Sequence, residues 1–193
     1  MYCTGCGGSI KTIGLPVGCA GTLISDRLIL TSAVCLYYGS DKALIDNSYT
    51  GLIRNYFVHP KYQSPLLYND IAIIELSKSI EGLKKTQACI SDGAVDITGM
   101  DAAYEGYGLR PDGKRSRTLK HEPVTIIGND LCDDILKANN SRSFIKKAKL
   151  KYGLNKGVTD DKVCTMGKYD EDSDTFTVSI EGTLIRVHQR VHC

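Results

Sequence analysis

Short hydrophobic runs separated by turn residues recur along the 193-residue chain. Val, Ile and Thr dominate these runs, and Gly, Asn, Asp or Pro stand between them, which is typical of β-strands. The runs occupy residues 21–25, 27–32, 53–59, 71–76, 123–128 and 177–187. This rhythm predicts an all-β sandwich or barrel.

One stretch departs from the β pattern. Leu131, Ile135 and Leu136 predict a short helix, which then runs into a basic loop. A boundary between two β-rich halves is expected at residues 90–100, where the sequence ISDGAVDITGM separates segments of similar length.

Composition narrows the class of protein. With 24 basic and 22 acidic residues the formal charge is +2, which gives no reason to expect nucleic acid or an acidic membrane as a partner. No run of apolar residues is long enough for a transmembrane helix, so we expect no membrane insertion. The eight cysteines indicate disulfides formed in an oxidising compartment. The start MYCTGCGGSI lacks the pattern of a secretory signal, so we expect a secreted protein whose signal is absent from this chain.

Four separated stretches resemble one family. In chain order they are GCAGTLISDRLILTSAVC, FVHPKYQSPLLYNDIAIIEL, YEGYGL and NDLCDDI…GVTDDKVCTMG, and together they resemble segments of the trypsin-like (chymotrypsin-fold) serine proteases. The resemblance implies a single domain over residues 1–193 made of two packed antiparallel β-barrels, about 9–95 and 96–193. The family's activating amino terminus, last strand and terminal helix have no counterpart here, so we expect a copy truncated at both ends with an incomplete second barrel.

The resemblance also locates the catalytic positions. It places Asp70 at the family's aspartate, Val34 where the general-base histidine stands, and Ser173 at the nucleophile. Valine cannot take the proton of a serine hydroxyl. The family's Gly-Asp-Ser-Gly-Gly motif is missing, and Glu171 and Asp174 replace glycines beside Ser173, where a carboxylate would repel a forming oxyanion. The chain is therefore predicted to be a pseudoprotease, with Asp70 retained to organise the turn before the 71–76 strand.

Two enzymatic alternatives stay open. Another histidine could replace the missing base, and the candidates are His59, His121, His188 and His192. The chain could also be an active trypsin-like endopeptidase whose sequence here is incomplete or misassembled.

The cysteines follow the family in part. The resemblance implies the bridges Cys19–Cys35 and Cys132–Cys164. It leaves the pairing of Cys3, Cys6, Cys89 and Cys193 open.

Two groups of residues have side chains that suit a metal-binding site. A zinc site would combine Cys3 and Cys6 with three residues near the other end of the chain, which are His188, His192 and Cys193. Such a site would make the chain a small zinc- or disulfide-stabilised binding module. Calcium would use the acidic stretch 170–181, with Asp170, Asp172, Asp174 and Glu181 as ligands, although Thr175 stands where a calcium loop needs glycine. We expect neither a metal nor a cofactor.

A cluster of basic residues indicates a binding role. Lys146, Lys147, Lys149 and Lys151 would form a dense positive patch if they lie on a loop. The sequon at 139–141 is consistent with an exposed loop in a secreted chain. We expect a monomer whose partner is a protein or a sulfated glycan.

Overall fold

The computed structural model describes eleven strands and two short helices of the chain. The described residues are 12–15, 19–38, 42–46, 49–64, 68–80, 87–88, 90, 96–106, 120–138, 156–170, 175–181 and 186–187. The strands are β1 Thr12–Leu15, β2 Cys19–Leu23, β3 Leu28–Thr31, β4 Lys42–Asp46, β5 Tyr49–Val58, β6 Ala72–Leu76, β7 Asp101–Gly106, β8 Lys120–Ile127, β9 Val163–Asp170, β10 Thr175–Glu181 and β11 Arg186–Val187. A 3-10 helix covers Ala33–Tyr38, and the α-helix α1 covers Asn129–Ala138.

The first sheet closes into a barrel. Its strands follow the order β1-β2-β3-β6-β5-β4, and the ring closes because β1 pairs with β2 on one side and with β4 on the other. Alternating residues of β6 point inward, as expected for a strand with one buried face. The barrel core is formed by Leu23, Ile29, Ile74, Leu76 and Ile80.

The second sheet has the order β10-β9-β8-β7-β11 and is open within the described residues. Helix α1 follows β8 and packs its apolar side on this sheet. Its core contains Ile127, Val158 and a disulfide between Cys132 on α1 and Cys164 on β9, both fully buried. The bridge therefore ties the helix to the sheet.

The prediction of an all-β fold with two antiparallel sheets is confirmed, as is the short helix around Leu131 and Ile135. The predicted run 177–187 forms strands at both of its described ends: β10 pairs with β9, and β11 pairs with β7 at the other edge of the sheet. Residues 182–185 lie outside the described part of the chain. The division at about residue 95 stays a prediction. Within the described residues, no helix has both the length and the apolar character needed to cross a membrane.

Candidate functional site

The centre of the site is a turn at residues 68–70, named here the aspartate turn, which leads into β6. Asn69 adopts a left-handed backbone conformation with φ of 54°, which asparagine tolerates better than most residues. The Ile71 N–H donates to the Asn69 carbonyl at 2.8 Å, which closes a γ-turn centred on Asp70. This turn holds the Asp70 side chain in a buried position, where only 7% of the residue is exposed.

The Asp70 carboxylate caps the 3-10 helix. Its Oδ1 accepts the Val34 N–H at 2.8 Å, and the Ala33 N–H is a second donor to the carboxylate. The first N–H groups of a helix have no partner within the helix, so an acceptor from elsewhere in the chain stabilises that end. Asp70 thus has a structural role that needs no side-chain function at position 34.

Opposing effects set the ionisation of Asp70. Burial raises its pKa above the usual 3.8, while the Val34 N–H, the positive charge of Lys162 and the Ala33 N–H lower it in part. Burial wins, so the pKa stays raised. A carboxyl with a raised pKa is a candidate functional group, but hydrogen bonds to the backbone produce the same environment for structural reasons.

The second half of the chain supplies charged groups beside this turn. The Lys162 ammonium lies 2.7 Å from Asp161 Oδ2, and its side chain is only 2% exposed. Burial alone would raise the pKa of Asp161, but the Asn69 N–H, the Lys162 ammonium and the Thr159 hydroxyl outweigh it and lower the pKa to about 2. The prediction from sequence missed Asp161 and Lys162. The one available signal was a lone lysine between an acidic pair and the apolar start of β9.

The structure brings two of the three predicted catalytic positions together. Val34 is half-buried at the start of the 3-10 helix and contacts Asp70 through its backbone. Ser173, Glu171 and Asp174 lie outside the described residues, so the placement of the nucleophile stays a prediction. At about 3.3 Å per residue, β9 carries the chain about 23 Å from Val163 to Asp170 before this acidic segment begins.

The structure describes two of the four candidate histidines. His59 follows β5, and its Nδ1 accepts the Lys61 N–H at 3.2 Å, which commits that ring nitrogen to a local turn. His121 lies exposed on β8. His188 and His192 lie outside the described residues.

One of the two implied disulfides is confirmed. Cys132 and Cys164 are bonded, with their Cα atoms 6.2 Å apart. Cys35 is also disulfide-bonded, but the side chain of Cys19 lies outside the described part of the chain, so their pairing stays a prediction. The cysteines at 3, 6, 89 and 193, whose pairing the sequence leaves open, also lie outside the described residues.

The calcium alternative is wrong for geometric reasons. Thr175 pairs with Asp170 at one end of the β9–β10 hairpin, whereas Glu181 pairs with Val163 at the other end. Six residue steps of strand place Glu181 about 20 Å from Thr175, too far for it to share an ion with Asp170.

Two other predicted groups fall outside the described residues. They are the zinc set of Cys3, Cys6, His188, His192 and Cys193, and the basic set of Lys146, Lys147, Lys149 and Lys151. In the part that is described, no three His, Cys, Asp or Glu side chains are grouped as metal ligands.

Comparison with known proteins gives a consistent result. The family model described as Trypsin matches residues 6–176. The CLIP domain-containing serine protease C9 of Anopheles gambiae is 26% identical over 166 residues, which is 80% of this chain and 43% of that protein. The clotting factor G beta subunit of Tachypleus tridentatus is 27% identical over 76% of this chain and 50% of its own length. A chymotrypsin of Phaedon cochleariae is 27% identical over 62% of this chain and 49% of its own length. The chain thus spans about half of the length of these relatives.

Proposed function

Because the chain belongs to the trypsin family, we propose that it is a serine-protease homologue that binds a partner without cleaving peptides. The observation that carries this proposal is the side chain at position 34, where Asp70 meets a valine. The Asp70 carboxylate accepts the Val34 backbone N–H and is thus directed at this position, but the valine side chain cannot accept a proton.

The energetic consequence of this change is large. A serine hydroxyl becomes a nucleophile when a base in hydrogen-bond contact removes its proton. In a well-studied serine protease, loss of the histidine alone lowers turnover by about 10⁶. His59 lies within the described residues, and its Nδ1 accepts the Lys61 N–H of its own turn. This bond gives no support to His59 as a replacement base.

The acidic segment after β9 supports the same proposal. Glu171 and Asp174 stand where the family has glycines beside the nucleophile, and a negative side chain there disfavours an oxyanion. Loss of a single oxyanion donor costs roughly 10²–10³ in turnover. A second defect of this size would leave little activity even with a base restored.

We further propose that the protein is extracellular. The buried Cys132–Cys164 bridge and the bonded state of Cys35 support this, because structural disulfides persist in oxidising compartments.

The proposed partner is anionic, either an acidic protein surface or a sulfated glycan. Support comes from the sequence: four lysines fall within residues 146–151, although the chain as a whole carries a formal charge of only +2. Interactions between exposed charges are screened over about 10 Å at 0.1 M salt, so such binding depends strongly on salt.

A second candidate is an active endopeptidase. The Asp70 carboxylate is directed at position 34, as orientation of an imidazole there would require. Some relatives are named chymotrypsin or trypsin. Hydrolysis of peptide substrates with Arg, Lys or Phe before the scissile bond distinguishes this candidate: we expect none, and turnover lost in a Ser173→Ala variant would establish it.

Heparin chromatography tests the binding role. We expect retention that falls steeply between low and moderate salt and is lost when Lys146, Lys147, Lys149 and Lys151 are replaced by Ser. The Ser173→Ala variant is the control and should be retained like the wild type. Unchanged retention of the four-lysine variant would show that this cluster is only a solvated surface.

A further inference from the structure

The aspartate turn is hydrogen-bonded to residues 156–162 of the second half of the chain. The Asn69 N–H donates to Asp161 Oδ2 at 2.8 Å across 92 positions of sequence. The Tyr68 hydroxyl makes two contacts at once: it accepts the Lys156 N–H at 2.8 Å and donates to the Gly157 carbonyl at 3.0 Å. A phenol can act as donor and acceptor together, so this one side chain holds two consecutive residues of the other half.

Lys162 is buried next to the Tyr68 ring and Asp161. Only 5% of Lys162 is exposed, and its ammonium is 5.7 Å from the centre of the Tyr68 ring. This distance is within the range of a cation–π interaction, in addition to the bond with Asp161. A fully buried lysine is rare because desolvation of its charge is costly, so its retention needs compensating negative groups.

Asp161 supplies that compensation. Its Oδ2 lies 2.7 Å from the ammonium and also accepts the Asn69 N–H of the aspartate turn. The same carboxylate oxygen therefore links the buried cation of the second half to the backbone of the turn. The positive charge of Lys162 also lowers the pKa of Asp70 in part.

We propose that Tyr68, Asp161 and Lys162 form a latch that fastens the aspartate turn to residues 156–162. The turn that carries the retained aspartate is thereby joined to the second half of the molecule. The latch also fixes Lys156, where the basic stretch that begins at Lys137 ends, beside the aspartate turn. It does not depend on whether that stretch binds a partner.

A double-mutant cycle tests the ionic part of the latch. Lys162→Met removes the charge at similar length, and Asp161→Asn removes the opposing charge while keeping a carbonyl oxygen for the Asn69 N–H. In urea unfolding at pH 7, we expect Lys162→Met to lower the midpoint at least about twice as much in the wild type as in the Asp161→Asn background. Equal shifts in both backgrounds would overturn the ionic part of the latch.

A second measurement covers the case in which Lys162→Met does not fold. Lys162→Arg keeps the charge, so the Asp161 pKa followed by carbon-13 NMR should stay close to that of the wild type. Lys162→Gln should raise that pKa, because a neutral amide replaces the cation. The same Asp161 pKa in the Arg and Gln variants would contradict the proposal.

Amide hydrogen exchange tests the Tyr68 part. Tyr68→Phe removes the acceptor of the Lys156 N–H, so exchange at Lys156 should rise about fivefold, the change expected for one hydrogen bond. The Val158 amide donates to Asp133 and is the internal control. Tyr56→Phe, at a 58% exposed tyrosine on β5, is the matched control and should change neither amide. Unchanged exchange at Lys156 in Tyr68→Phe would refute the latch.

Discussion

Oδ1 of Asp70 accepts a hydrogen bond from the Val34 backbone N–H at 2.8 Å, although 36 positions separate the two residues. This contact gives Asp70 a structural role that does not depend on a histidine at position 34. The Asp70 carboxylate accepts a backbone N–H, so this hydrogen bond does not depend on the side chain at position 34. Removal of the acceptor should therefore affect stability even though no proton transfer is involved.

The first prediction concerns Asp70 and pH. Its folded pKa is raised above 3.8, so its favourable contribution to stability is complete below that value and is lost as pH rises through the folded pKa. Asp70→Asn should remove this loss and leave stability at pH 7 within about 1 kcal/mol of the wild type. Asp70→Ala, which removes the helix cap, should cost about 1–2 kcal/mol. Urea unfolding from pH 3 to pH 7 measures all three proteins, and identical pH profiles for wild type and Asp70→Asn would contradict the assignment.

The second prediction concerns Asp161, whose pKa is shifted in the opposite direction to that of Asp70. Its pKa is lowered to about 2, so its contribution is present above 3.8 and is lost as pH falls through about 2. The side chain is 34% exposed, and solvent screening limits the effect to about 1 kcal/mol. Asp161→Asn should therefore flatten the stability curve between pH 4 and pH 2. A steeper acid limb in this variant would show that the sign is wrong.

The third prediction concerns the disulfide between α1 and β9. The bridge links residues separated by 32 positions. In the chain-entropy model a loop of this size contributes about 3–4 kcal/mol. Replacing Cys132 and Cys164 by Ala should lower the free energy of unfolding by at least this amount, since both residues are fully buried. A loss below about 1 kcal/mol in denaturant unfolding would mean that the bridge is not important for the fold.

The fourth prediction compares two glycines with similar backbone angles. Gly157 has φ of 76°, and a Cβ there would lie 2.6 Å from Asp133 Oδ2, whereas Gly99 has φ of 80° and nothing within 4 Å of such an atom. Each Gly→Ala change should cost about 1–2 kcal/mol for the left-handed conformation. Gly157→Ala should cost more, because the displaced Asp133 also accepts the Val158 N–H. Equal losses for the two variants in thermal unfolding would show that the Asp133 contact is easily relieved.

Parts of the fold followed from local sequence. The β-branched runs predicted β2, β3, β5, β6, β8, β10 and β11, because a run of Val, Ile and Thr suits a half-buried pleated strand. The runs did not include β1, β4, β7 or β9. These strands are short or contain Gly, Lys or Asp, and they depend on pairing with strands elsewhere in the chain. Tertiary pairing overrides weak local preference in such segments.

The sequence identified only those residues of the site that lie within a recognisable family pattern. Asp70 and Val34 stood out because a family pattern surrounds both of them. The partners of the aspartate turn did not stand out, because Tyr68 meets Lys156 across 88 positions and no local pattern encodes that contact. A buried lysine also looks like any surface lysine in sequence, and only packing identifies Lys162 as internal.

Restoration of the histidine alone should not restore activity. Val34→His places an imidazole next to Asp70, but Glu171 and Asp174 remain at the positions that the resemblance to the family assigns to the glycines beside the nucleophile, and a carboxylate there would still disfavour the oxyanion. We expect hydrolysis of Arg, Lys or Phe peptide substrates by this variant to remain at background. Turnover by Val34→His that is absent from Val34→Ala would show that the missing base is the sole defect.

Labelling by a fluorophosphonate serine probe tests whether the protein contains an activated serine. The probe reacts with a serine that a neighbouring base has activated, and it does not depend on the choice of peptide substrate. The folded protein with its Cys132–Cys164 bridge intact should remain unlabelled under conditions in which an active trypsin reacts completely. Labelling of Ser173 at a rate close to that of the active trypsin would show that the protein is an active serine protease.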